Sequence, residues 1–153
     1  MIPDSIERDV LIEAPVDVVW SVVTEPAKIV QWFSDLAEID LRPGGAGALT
    51  WTEQDHTAPL VVQAVEPPRL FSFRWSHPEG EAPSAGNSTL VEFQLSAEGE
   101  HTRLRVVESG LQAVDWSEDE KARFRDDHAG GWSKAVTSLV EYLSARSEAT
   151  AAR

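Results

Sequence analysis

Residues 124–143 read Phe124-Arg125-Asp126-Asp127-His128-Ala129-Gly130-Gly131-Trp132-Ser133-Lys134-Ala135-Val136-Thr137-Ser138-Leu139-Val140-Glu141-Tyr142-Leu143. Phe124, His128, Trp132, Ala135, Val136, Leu139, Val140 and Leu143 recur at three- and four-residue spacing, which gathers them on one side of an α-helix. The run is too long for a strand. Ser117 and Glu120 upstream match a capping box, so the helix is expected to start there. Gly130-Gly131 interrupts it at about 1 kcal/mol per glycine relative to alanine. Close approach to a sheet, or a bend, is the expected reason. An apolar stripe of this length needs a surface to bury against.

Strands supply that surface. Thr89, Val91, Phe93 and Leu95 alternate with Leu90, Glu92, Gln94 and Ser96. After the turn at Glu98-Gly99-Glu100, Thr102, Leu104 and Val106 alternate with Arg103, Arg105 and Val107, which predicts a hairpin. The segment 69–76 carries Phe71, Phe73 and Trp75 on one face, with Arg74 directed outward. Further strands are expected at 36–41, 48–53 and 59–65, and a first one over Ile6, Arg8, Val10 and Ile12. Val16, Val19, Trp20 and Val23 predict a short helix. A second is expected with Thr24 as its cap, Pro26 in its first turn and Ile29, Trp32 and Phe33 on its apolar side. The stretch 77–86 reads as an exposed loop. Strand, two short helices, a run of strands and one long helix define an α+β fold: a curved antiparallel sheet around a C-terminal helix. Residues 1–5 form a lead, 6–145 a single domain and 146–153 a tail expected to fray.

The chain has 153 residues and is 42% hydrophobic, enough for a core without staples. Without cysteine it has no disulfides, Fe–S clusters or thiolate zinc sites. No leader and no apolar run of membrane-spanning length is present, so a cytoplasmic location and no membrane association are expected. With 26 acidic and 13 basic residues the formal charge is −13. Nucleic acid binding is not expected, because the largest basic grouping is Arg103 with Arg105. A face this acidic could instead recruit a basic protein partner.

Several stretches carry a family resemblance. They are Ile12-Glu13-Ala14-Pro15-Val16-Asp17-Val18-Val19-Trp20, Thr24-Glu25-Pro26-Ala27, Trp32-Phe33, Leu41-Arg42-Pro43-Gly44-Gly45, Glu66-Pro67-Pro68-Arg69-Leu70-Phe71-Ser72-Phe73-Arg74-Trp75, and His128 with Gly131-Trp132. Their order and spacing over roughly residues 6–145 resemble the activator-of-Hsp90-ATPase-like (AHSA1-like) group of the START-like, or SRPBCC, superfamily. The resemblance implies the helix-grip (START-like, Bet v 1-like) fold, which often encloses an apolar cavity between sheet and helix. It implies a small-molecule binding protein for an apolar or aromatic ligand, with no cofactor. A co-chaperone-like partner binder and a cyclase- or hydrolase-like enzyme are the alternatives. No stretch resembles the additional N-terminal domain of full Hsp90 co-chaperones. A monomer or a homodimer is compatible with the chain.

The expected cavity lining is Trp32, Phe33, Trp51, Phe71, Phe73, Trp75, His128 and Trp132. Large rings fill cores, and they also line pockets, where indole N–H groups orient a ligand. Trp116 is expected to cover one end. His56, His77 and His101 read as surface residues. His128, on the apolar helix face one turn before Trp132, reads as a packed, hydrogen-bonded residue first, a ligand contact second and a general base third. Glu108 falls in phase with Leu104 and Val106; a buried carboxylate there needs water or a partner. Glu118, Asp119, Glu120, Asp126 and Asp127 favour the helix dipole and not a metal. No serine elbow, phosphate loop or metal motif occurs.

Overall fold

The computed structural model describes residues 3–76, 83 and 86–151. The seven strands are β1 (Ile6–Ile12), β2 (Leu36–Ile39), β3 (Ala46–Trp51), β4 (His56–Glu66), β5 (Leu70–Ser76), β6 (Ser88–Glu98) and β7 (His101–Ser109). They form one antiparallel sheet in the order β1-β7-β6-β5-β4-β3-β2. Strands β2 to β7 follow one another as a meander, and β1 pairs on beyond β7. Helices α1 (Val16–Thr24) and α2 (Pro26–Ile29) sit between β1 and β2 in the chain, and α3 (Glu118–Ala151) follows β7 after a short 3-10 turn over Leu111–Ala113. This is the α+β helix-grip layout.

Period-two alternation puts Phe71 and Phe73 of β5, Val91, Phe93 and Leu95 of β6, and Leu104 and Val106 of β7 in the core. From the helices, Val19, Val22, Val23, Leu139 and Leu143 join them. Trp75 stands directly opposite Thr89, and Glu108 lies one strand further on, opposite Val91. Register alone therefore brings Trp75, Thr89 and Glu108 onto one patch of the inner face.

Some local expectations need correction. Thr24 does not cap α2: it ends α1, its Oγ1 donating to Trp20 O at 2.8 Å, and Glu25 takes the cap position without a side-chain bond. Trp32 and Phe33 follow the four-residue α2 in a turn. Strand β2 stops at Ile39, because the chain folds back at Arg42-Pro43-Gly44-Gly45. Gly44 has φ +85, and a Cβ on Gly45 would fall 2.0 Å from Asp40 O, so only glycine fits either position.

The capping box forms in altered form. Ser117 Oγ accepts the Glu120 N–H at 3.1 Å and donates to Glu120 Oε1 at 3.4 Å, so Glu120 closes on the serine hydroxyl and not on its backbone. The helical backbone of α3 continues to Ala151. Arg8 on the inner face of β1 fastens α3 to the sheet, with Nε donating to Ser133 Oγ at 2.9 Å and Nη2 to Ala129 O at 2.8 Å. Leu139 and Leu143 bury the later part of α3, while its first turns stand off strands β3 to β5. Gly130 and Gly131 belong to that raised part. A Cβ at either would meet nothing within 4 Å, so close approach to the sheet is not what the glycines serve.

Candidate functional site

Raising α3 off the sheet leaves a cavity of about 880 Å³, a size suited to a drug-sized molecule. Trp32 and Phe33 from the turn after α2, Trp51, Ala58 and Trp75 from the sheet, and Trp132 with Ala135 from α3 form its apolar wall. Phe33 is the hinge of the aromatic lining. It stacks on Trp132 at 5.2 Å and on Trp32 at 5.1 Å, and meets Trp51 edge-on at 5.2 Å. Gln54 and His56 from the sheet side, and Glu120, Arg123, Asp127 and Lys134 from α3, supply the polar part of the wall.

The floor holds a fully buried carboxylate. Glu108 is 2% exposed and receives four hydrogen bonds. Oε1 takes Trp132 Nε1–H at 2.8 Å and His128 Nδ1–H at 2.7 Å; Oε2 takes Trp75 Nε1–H at 2.8 Å and the Thr89 hydroxyl at 2.6 Å. Those four bonds fill the acceptor capacity of an ionised carboxylate. Burial pushes the Glu108 carboxyl up. The His128 charge and the hydrogen bonds from His128, Thr89 and Trp132 outweigh it and hold the carboxyl below its ordinary value.

An ionised carboxylate only accepts, so His128 Nδ1 carries the hydrogen in this bond and Nε2 lies on the other side of the ring. Phe124 stacks on the imidazole at 3.7 Å and Trp75 meets it edge-on at 5.4 Å, which leaves the ring little rotational freedom. The His128 side chain is 26% exposed, and it lines the cavity. The arrangement binds a proton at one fixed point on the wall of an aromatic cavity.

Six of the eight residues expected to line a pocket border this cavity: Trp32, Phe33, Trp51, Trp75, His128 and Trp132. Phe71 and Phe73 lie deeper, 1% and 2% exposed, against a small apolar void behind the main one. The indole N–H groups turn inward and do not point toward a ligand. Trp32 Nε1 donates to Val22 O and Trp51 Nε1 to Phe33 O, both at 2.9 Å, while Trp75 and Trp132 serve Glu108. Trp116 packs on Phe124 at 4.9 Å, away from the cavity lining.

His56 is not the surface residue expected. It stacks on Trp51 at 5.8 Å and joins the lining. His101 is exposed at the β6–β7 turn, and His77 lies outside the described residues. Arg103 binds Glu98 and Asp9, and Arg105 binds Glu7, so the one basic grouping is neutralised on the outer face. No group of three metal-ligating side chains occurs among the described residues. No helix among them is long and apolar enough to cross a membrane.

The sheet, helix and intervening cavity define a helix-grip protein of the START-like class. Residues 13–144 match the family model "Activator of Hsp90 ATPase homolog 1-like protein", and the chain belongs to that family. Among solved structures it is similar to CalU16 from Micromonospora echinospora, at 30% identity over 92% of this chain and 76% of that one, with a TM-score of 0.68. It is also similar to DynU16, a protein of the dynemicin biosynthetic locus, at 28% identity and a TM-score of 0.74; the match covers 94% of this chain and 48% of DynU16. The Aha1 dimer from Colwellia psychrerythraea shares the fold at 17% identity, with a TM-score of 0.75 over 94% of this chain and 96% of that one. No curated protein matches the sequence.

Proposed function

We propose that the protein binds a flat aromatic or conjugated small molecule between α3 and strands β3 to β5. The observation that carries this reading is the way the aromatic wall is used. Trp32, Trp51, Trp75 and Trp132 spend their N–H groups inside the protein, so they offer a ligand ring faces and edges around a volume of about 880 Å³. Such a wall favours stacking and area burial over multiple hydrogen bonds. Polar recognition falls to His128, His56 and Gln54. The likeness to DynU16, which belongs to a biosynthetic locus, supports a small-molecule role. The test is a titration of intrinsic tryptophan fluorescence against a library of aromatic metabolites. Saturable quenching is expected in the native chain, and its loss in Ala135→Phe, which fills the cavity. No quenching across the library, or quenching unchanged by the filled cavity, sinks this reading.

A second reading is action on a protein partner, and the family match favours it more directly than it favours any ligand. The family is described by activation of the Hsp90 ATPase, and a formal charge of −13 suits a basic partner surface. It predicts stimulation of an Hsp90-class ATPase and capture that weakens as salt rises. Unaltered ATPase rates together with no capture at low salt eliminate it. Light scattering distinguishes the monomer from a homodimer of the kind described for the Colwellia protein.

A further inference from the structure

We propose that Glu108 and His128 form an acid–base dyad, so that the cavity is a proton-transfer site acting on a flat aromatic or conjugated substrate with a weakly acidic C–H or O–H. The proposal rests on the cavity reading above and adds chemistry to it. His128 Nδ1 is committed to Glu108 at 2.7 Å, which makes Nε2 the lone-pair nitrogen of the neutral ring. Phe124 and Trp75 hold the ring plane. When Nε2 takes a proton, the imidazolium faces a carboxylate already desolvated and charged, which stabilises the ion pair as it forms.

Glu108 is the positioning residue. Trp75, Thr89 and Trp132 occupy its remaining acceptor sites and prevent it from turning toward the cavity. Stability alone does not account for this hub. An apolar residue in phase with Leu104 and Val106 would fill the position without needing four donors, and such replacements of buried charge are commonly neutral or stabilising. The other ionisable groups on the cavity wall are Glu120, Arg123, Asp127 and Lys134 of the same helix and His56 of β4.

The probe is 5-nitrobenzisoxazole, a flat bicycle with one acidic ring C–H. Nε2 takes that proton, the C–H electron pair becomes the third bond of a nitrile, and the ring N–O bond breaks with its electrons leaving on a phenolate oxygen. Atoms and charge balance without a co-reactant. Phenolate absorbance reads turnover, and tryptophan fluorescence reads binding.

Saturable turnover is expected at roughly a hundredfold or more above an equal concentration of free imidazole, rising with pH along a one-proton curve. His128→Gln keeps an N–H for Glu108 and so preserves the hub; it should bind the probe and lose both the turnover and the pH dependence. Glu108→Gln, checked for its fold by circular dichroism, should lower turnover and move the midpoint of the pH curve, which a merely structural role would not do. Turnover no better than imidazole, or unchanged in His128→Gln, overturns the dyad. If quenching still saturates in that case, the binding reading survives. Neither quenching nor turnover overturns both.

Discussion

Trp132 and His128 stand one turn apart on α3 and end on the same atom, Glu108 Oε1, at 2.8 and 2.7 Å. The carboxylate comes from the last residues of the sheet and the two donors from the helix laid over it. The bond pair thus sutures the two layers at the point where they separate to form the cavity. Replacing Glu108 by Gln presents an amide NH₂ to two of the four donors. A cost of roughly 3 kcal/mol is expected, since a buried donor left unpaired loses its full solvation. For a chain of this size each kcal/mol moves Tm by about 2–4 °C. Thermal melting of Glu108→Gln should therefore fall by about 6–12 °C, and a Tm within a degree or two of the native chain would show the suture to be idle.

The same group sets a response to acid. Its folded carboxyl titrates below its unfolded value, because His128 and the donors outweigh burial. The unfolded chain therefore binds the proton first as pH falls. The stability Glu108 contributes is complete above the ordinary carboxylate value of about 4.3 and is lost as pH drops through the folded value. Asp35 has the same sign, lowered first by the Thr52 backbone N–H and then by its hydroxyl. Urea unfolding at a series of pH values should show native stability declining below that point. The gap between native and Glu108→Gln proteins should shrink in parallel; a gap that widens toward acid would reverse the sign.

What the sequence made legible here was phase, and what it hid was depth. Alternation along β7 placed Glu108 with Leu104 and Val106 and so announced a carboxylate in need of a partner. The partners come from β5, β6 and α3, and only strand register and helix placement bring Trp75, Thr89, His128 and Trp132 to it. Likewise Phe71, Phe73 and Trp75 share a face, but the cavity opens only beside Trp75, and period two says nothing about position along a face. His56 was read as a surface residue because it adjoins a loop. Its pairing with Trp51 at the end of the β3–β4 hairpin was the available signal, since the two residues face one another across a short turn.

The glycine pair offers a separation of stability from function. Helix-interior glycines cost about 1 kcal/mol against alanine, and a methyl at Gly130 or Gly131 meets no atom within 4 Å. Gly130→Ala and Gly131→Ala should each raise Tm by about 2–4 °C. Only Gly131 borders the cavity, so Gly131→Ala should also weaken ligand quenching while Gly130→Ala leaves it unchanged. Equal binding in both would mean that the glycine serves the backbone and not the space.

Trp51 links the cavity wall to its hinge. Its Nε1 donates to Phe33 O at 2.9 Å, and Phe33 in turn stacks on Trp132 and Trp32. Trp51→Phe keeps an aromatic ring but removes the donor, leaving the Phe33 carbonyl partly buried without that bond. A loss of roughly 1 kcal/mol is expected, which is a small effect on melting. The effect on binding should be larger in proportion, because the freed turn lets the Phe33 ring leave its stack and enter the cavity. Titration of Trp51→Phe with a ligand of the native protein should give a clear loss of affinity at nearly unchanged Tm. Trp32→Phe is the control: its N–H goes to Val22 O between α1 and the same turn, so it should cost a similar amount of stability while leaving Phe33 held by Trp51. If both substitutions weaken binding equally, the hinge is the whole turn and not the single bond from Trp51.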